Sequence, residues 1–86
     1  MDYNHIKEVI DQWDPMELIY EYPDITDEYS SEIKAIENSI ITMKIDNYEI
    51  LASEIHRIFV EAFTSRAFKK SLEDCLIIAK RIYDSP

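Results

Sequence analysis

An all-α fold, a small antiparallel bundle of four longer helices plus one short helix after Asp14, is what the sequence predicts, on three observations. Glycine is absent from all 86 residues, which removes the residue that hairpin turns and phosphate-cradling loops most need. Proline occurs only at positions 15, 23 and 86, so Asp24 to Ser85 is free of both strong helix breakers. Apolar residues recur at three- and four-residue spacing along most of the chain, the period of a helix with one buried face.

The first helix runs from Asp2 or Asn4 to Gln12, because Ile6, Val9, Ile10 and Trp13 share one face and Lys7, Glu8, Asp11 and Gln12 the other. The segment Trp13-Asp14-Pro15-Met16-Glu17-Leu18 then reads as a helix start, with Asp14 as N-cap, Pro15 in the first helical position and Glu17 closing a capping box. Pro23 forces Tyr22 toward extended geometry and ends this short helix near Glu21. A third helix begins between Asp24 and Asp27, where acids complement the positive end of the helix dipole, and runs to Lys44. Its core face carries Tyr29, Ile33, Ile36, Ile40 and Met43.

Asp46 with Glu49 repeats the capping device and starts the fourth helix at Asn47. That helix packs through Leu51, Ile55, Ile58, Phe59, Ala62 and Phe63, exposes Glu54, Arg57 and Glu61 as ion pairs, and ends near Thr64. The last helix has two starts available: Ser71 with Asp74 forms a capping pair, while Phe68 extends the face of Leu72, Cys75, Leu76, Ala79, Ile82 and Tyr83 back toward Ser65. A short turn from Thr64 to Ala67 fits better. The connections are only a few residues long, so neighbouring helices are expected antiparallel within one domain, residues 1–86.

Charge is distributed unevenly. Up to Glu37 there are eleven acids against Lys7 and Lys34, while seven acids and seven bases share the remainder. A negative field over one part of the surface attracts a basic protein or peptide and repels nucleic acid and anionic membrane. The lone Cys75 excludes an intramolecular disulfide, and Met1-Asp2-Tyr3-Asn4 carries no secretory pattern, so the expected compartment is the cytoplasm. No apolar run approaches the length that spans a bilayer.

The chemistry-bearing residues do not assemble into a reactive set. His5 and His56 lack the spacing of a metal or catalytic cluster, although Asp2 and His5 could share an ion; the plainer reading of His5 is a solvated terminal histidine. Cys75 lies on the buried face of the last helix with no cation beside it, as a small core residue. The run Asp24, Asp27, Glu28, Glu32 has the hard oxygen donors calcium takes but neither the loop nor the glycine of a calcium site. Lys69, Lys70, Lys80 and Arg81 have Glu73, Asp74 and Asp84 three or four residues away, so they read as an internally paired face. No catalytic residue, metal or cofactor is expected, and the chain reads as a non-enzyme.

The segment from Tyr20 to Tyr29 carries the strongest binding signal. Tyr20, Glu21, Tyr22, Asp24, Asp27, Glu28, Tyr29 and Glu32 are the partner-binding candidates: tyrosines give rigid contact area at low entropic cost, and carboxylates around them orient a basic partner. The plainer reading is that Tyr29 and one of Tyr20 or Tyr22 pack the corner while the acids cap a helix. Ile41 and Ile77 fall off the core stripes of their helices, as isolated surface residues, as a sign that the third helix is central and buried on two sides, or as contacts of a homodimer, the alternative to the interaction-module reading.

At Trp13-Asp14-Pro15, Leu18, Pro23, Asp27-Glu28-Tyr29 and Ile33 the chain resembles the YugE-like family, short proteins of Bacillus-type bacteria whose shared domain is one of unknown function. The resemblance spans nearly the whole chain and implies a small all-α fold, with no activity and no catalytic residues to carry over. Locally, Leu18-Ile19-Tyr20-Glu21-Tyr22-Pro23 followed by acids resembles the short helix and tyrosine pair of colicin-type DNase immunity proteins, which are acidic four-helix inhibitors of basic nuclease toxins. Here Glu21 separates the tyrosines, and the order and lengths of the helices differ. That second resemblance implies inhibition of a basic toxin as a further alternative.

Overall fold

The computed structural model describes residues 3–24 and 27–84. Among them the chain is all-helical, in the order α1 (Tyr3–Trp13), α2 (Leu18–Glu21), α3 (Ser30–Thr42), α4 (Tyr48–Ala67) and α5 (Leu72–Asp84). Residues 25 and 26, within the span expected to start the third helix, and Asp2, at the expected start of the first, lie outside the described residues.

Contacts between the ends of the elements fix their directions. The start of α4 meets the end of α5, where Tyr48 donates its hydroxyl to Asp84 at 2.8 Å and its ring lies 5.4 Å from that of Tyr83. The start of α1 also meets the end of α5, through the His5 Nε2–H donated to the Ile82 carbonyl at 2.8 Å. Late in α3, Ser39 donates to Glu54 early in α4 at 3.0 Å, while Tyr29, just before α3, packs on Phe59 and Phe63 late in α4. Asp14, just after α1, accepts from Tyr29. Each pair is therefore antiparallel, and α1, α3, α4 and α5 close a four-membered ring in that order, with α4 and α5 in the most extensive contact.

The core is aliphatic along the bundle and aromatic at one end. Ile6, Ile10, Ile33, Ile36, Leu51, Ile55, Ile78 and Ile82 are sealed from solvent. Trp13 stands edge-on to Phe59 and Phe68 at 5.7 and 6.1 Å, and Phe59 stacks on Phe68 at 5.1 Å and on Phe63 at 5.9 Å. Such ring pairs each add about 0.5–1.5 kcal/mol beyond their area.

Several sequence expectations are corrected, most of them by the way helices end in a chain without glycine. The short helix starts at Leu18, not Pro15, because Asp14 is already committed to ending α1: its φ of 43° is left-handed and its N–H donates to the Ile10 carbonyl at 2.8 Å. Residues 14–17 form a turn instead, with Glu17 donating its N–H to the Asp14 carbonyl at 3.0 Å, and Glu17 closes no capping box. The third helix starts at Ser30 rather than between Asp24 and Asp27, because Tyr29 turns its ring into the core ahead of the first turn. It also ends earlier, at Thr42: Lys44 at φ 51° and the Ile45 N–H to Ile40 carbonyl bond of 3.2 Å form a Schellman ending, which leaves Met43 exposed. Ser39 takes the core position instead.

With Ile45 held in that ending, the α4 cap moves one residue on, from Asp46 to Asn47, whose side chain accepts from the Ile50 N–H at 2.9 Å. Thr64, at φ 71° and ψ 160°, interrupts α4 where its end was expected, and one further turn leads to the buried Phe68. Ala62, expected in the core, is exposed. The start of α5 resolves to Ser71, since its N–H donates to Asp74 at 2.9 Å and the Asp74 N–H donates to the Ser71 hydroxyl at 3.1 Å, a complete capping box.

Candidate functional site

Asp14 and Tyr29 organise the segment between α1 and α3. The Tyr29 hydroxyl donates to Asp14 Oδ1 at 2.6 Å and accepts the Met16 N–H at 3.1 Å. The same carboxylate accepts the N–H groups of Ile19 and Tyr20 at 3.1 and 3.0 Å, so Asp14 caps α2 through space although it is not the residue that precedes it. Burial pushes the Asp14 carboxyl up, but the Tyr29 hydroxyl and the α2 N–H groups outweigh it and hold its pKa below the ordinary value. Burial first, and then the Asp14 carboxylate, push the Tyr29 phenol up. One charge-assisted hydrogen bond thus ties the end of α1 to the start of α3, and the loop is hung on it.

What that loop presents is two tyrosines and a set of carboxylates. Tyr20 is 83 % and Tyr22 53 % exposed, a large area for aromatic side chains, and Glu21, Asp24 and Asp27 beside them are exposed as well. Glu28 and Glu32 are half-buried; desolvation raises the Glu32 pKa. Tyr29 is the correction within the candidate set: its side chain is sealed in the core, so it cannot touch a partner and serves to hold the loop. The acids precede α3 on the segment leading into it, and only Glu32 stands in its first turn.

The other sequence candidates separate. Ile41 and Ile77 are both exposed, but they stand on α3 and α5, which face each other across the ring rather than side by side. His5 is not simply solvated, since it is half-buried and bonded to the Ile82 carbonyl. Cys75 is sealed in the core, and desolvation pushes its thiol up to about 12. The expected pairing of Lys69, Lys70, Lys80 and Arg81 forms no contact ion pair among the described residues, though Lys70 helps hold the Asp74 pKa low through space; the contact pairs there are Lys7–Asp11 at 2.6 Å and Arg57 with Glu54 and Glu61 at 2.7 and 2.9 Å. The last two are the pairs expected on the fourth helix. Among the described residues no three His, Cys, Asp or Glu side chains converge as metal ligands, and no helix is long and apolar enough to cross a membrane.

From sequence Asp14 reads as a local cap, and its bond to Tyr29, fifteen positions away, has no local signature. The only available signal was that both lie among the residues carrying the family resemblance. Compared with known proteins, the chain matches the family model described as Domain of unknown function (DUF1871) over residues 5–84. No curated protein and no solved structure matches it.

Proposed function

The chain belongs to the family of the Domain of unknown function (DUF1871), and from that premise we propose that it is a non-enzymatic interaction module whose acidic, tyrosine-bearing loop engages a basic protein or peptide. The observation that carries this reading is the exposure of Tyr20 and Tyr22 on a loop held by the Asp14–Tyr29 bond, with Glu21, Asp24 and Asp27 unshielded around them. An exposed, rigid aromatic pair on a tied segment loses little conformational freedom on binding, and the surrounding carboxylates select a cationic partner and speed its encounter. The deficit of positive charge in the first 37 residues extends the same field over a wider surface. The YugE-like resemblance to proteins of Bacillus-type bacteria adds a bacterial cytoplasm as the proposed setting.

The test is affinity capture from a native bacterial lysate at graded salt. A steered electrostatic complex weakens as the Debye length contracts from about 10 Å at 0.1 M to about 3 Å at 1 M. Recovery of a basic protein at low salt, reduced at high salt and by Glu21→Lys with Asp24→Lys, supports the reading. A capture profile indifferent to both salt and charge reversal contradicts it.

A further inference from the structure

A second surface, separate from the acidic loop, lies along the outer seam of α4 and α5. Glu49, Ala52 and Ser53 on α4 and Leu72, Glu73 and Leu76 on α5 line a mainly apolar groove of about 360 Å³. Leu72 is 52 % exposed although it belongs to the apolar stripe of α5, and Leu76, one turn on, is half-buried. A half-exposed leucine continuing into a partly buried one a turn later, on the wall of an apolar groove, marks a surface that a partner can cover, unlike an isolated surface isoleucine. No Lys or Arg lines the groove, and neither Glu49 nor Glu73 is ion-paired among the described residues, so each wall carries an uncompensated carboxylate. The walls belong to the most extensively packed helix pair in the molecule, so the groove is formed before anything binds.

We propose that this groove docks an amphipathic helix whose leucine-sized side chains cover Leu72 and Leu76 and whose flanking Lys or Arg residues meet Glu49 and Glu73. Leu72 and Leu76 are four residues apart, so a helix lying along α5 offers anchors at the matching i, i+3 or i+4 spacing. Basic residues on either side of its apolar stripe complement the acids of the two walls, whereas an acidic helix of the same hydrophobicity would set like charges against each other on both sides.

The experiment titrates the full chain against a fluorescent synthetic helical peptide of about 15 residues, long enough to be helical when bound, with leucines along one face and lysines flanking them. A control peptide carries glutamate for each lysine. Saturable binding of the lysine peptide is expected, weakened about tenfold or more by Leu72→Gln and by Glu49→Lys with Glu73→Lys, and unchanged by Tyr20→Ala with Tyr22→Ala. Absence of saturable binding overturns the proposal. So does equal affinity for the glutamate peptide, or binding that only the Tyr20→Ala/Tyr22→Ala variant loses, which would place the peptide on the acidic loop. Light scattering that shows a dimer dissociated by Leu72→Gln overturns it in favour of a second copy of the chain as occupant. Glu49 and Glu73 are exposed, so their reversal keeps the test valid if Leu72→Gln does not fold.

Discussion

The Asp14 carboxylate does the work of several residues: it caps α2, accepts the Tyr29 hydroxyl, and sits on the backbone position that ends α1. Tyr29→Phe leaves the ring packing intact but strands the Met16 N–H and removes a charge-assisted bond, so chemical denaturation should register a loss of about 1.5–3 kcal/mol. Asp14→Ala should cost about 2–3 kcal/mol, from the lost cap and a left-handed backbone position where Asp is better tolerated than Ala. Asp14→Asn should cost less, since it keeps an acceptor and tolerates that position. The two sites touch, so Asp14→Ala combined with Tyr29→Phe should cost less than the sum of the separate losses. Acid stability follows from the same carboxylates. Net hydrogen bonding holds Asp14 low, the Arg57 guanidinium holds Glu54 low, and the Ser71 N–H holds Asp74 low. Groups with depressed native pKa contribute stability above their unfolded pKa and lose it as pH falls through the native one, so the melting temperature should drop steeply below about pH 4. Glu32 acts oppositely: burial raises its pKa, it destabilises at neutral pH, and the chain gains stability as pH falls through that raised value. Glu32→Gln should therefore raise the melting temperature at pH 7 and abolish that gain.

Helix existence and most of the buried faces are legible in this sequence, and most helix ends are not, for one physical reason. A left-handed residue that closes a helix is normally announced by glycine, and here Asp14 after α1 and Lys44 after α3 take that role at φ of 43° and 51° without any compositional mark, while Glu17 at φ 57° precedes α2 and Thr64 at φ 71° interrupts α4. The shifts from Pro15 to Leu18 and from Asp46 to Asn47 both follow from unseen endings just upstream. Where the start signal is local and no such ending intrudes, as at Ser71 and Asp74, the sequence reading selects the observed cap. The same limit hid part of the candidate site. The sequence offers Tyr29 both as a core residue and as a partner contact, and the core reading holds, but the bond to Asp14 that fixes its hydroxyl fifteen residues away is not legible. Lys44 occupies the Schellman position at a steric cost that glycine avoids, so Lys44→Gly should raise stability by about 0.5–1 kcal/mol in equilibrium unfolding. Asn47→Ala should lower it by about 1 kcal/mol through loss of the α4 cap. A Lys44→Gly variant that melts earlier than the wild type would contradict the assignment of strain to that position.

At the scale of the whole molecule, the ring of α1, α3, α4 and α5 gathers the aromatic core at one end and ties the acidic loop to it through Tyr29, whose ring packs on Phe59 and Phe63. Stability and surface chemistry are thereby separated: residues 14 and 29 hold the loop, while Tyr20, Glu21, Tyr22, Asp24 and Asp27 remain in solvent. That division is what an interaction module needs, because its contact residues can be changed without unfolding it. The most direct measurement is the affinity of the captured basic partner for the wild type and for the Tyr20→Ala/Tyr22→Ala double variant at about 0.1 M salt, with melting curves recorded on both proteins. The expected result is a loss of about tenfold or more in affinity with unchanged melting, as for a pair of aromatic hot-spot residues. Undiminished affinity in a folded double variant would contradict the role assigned to the loop.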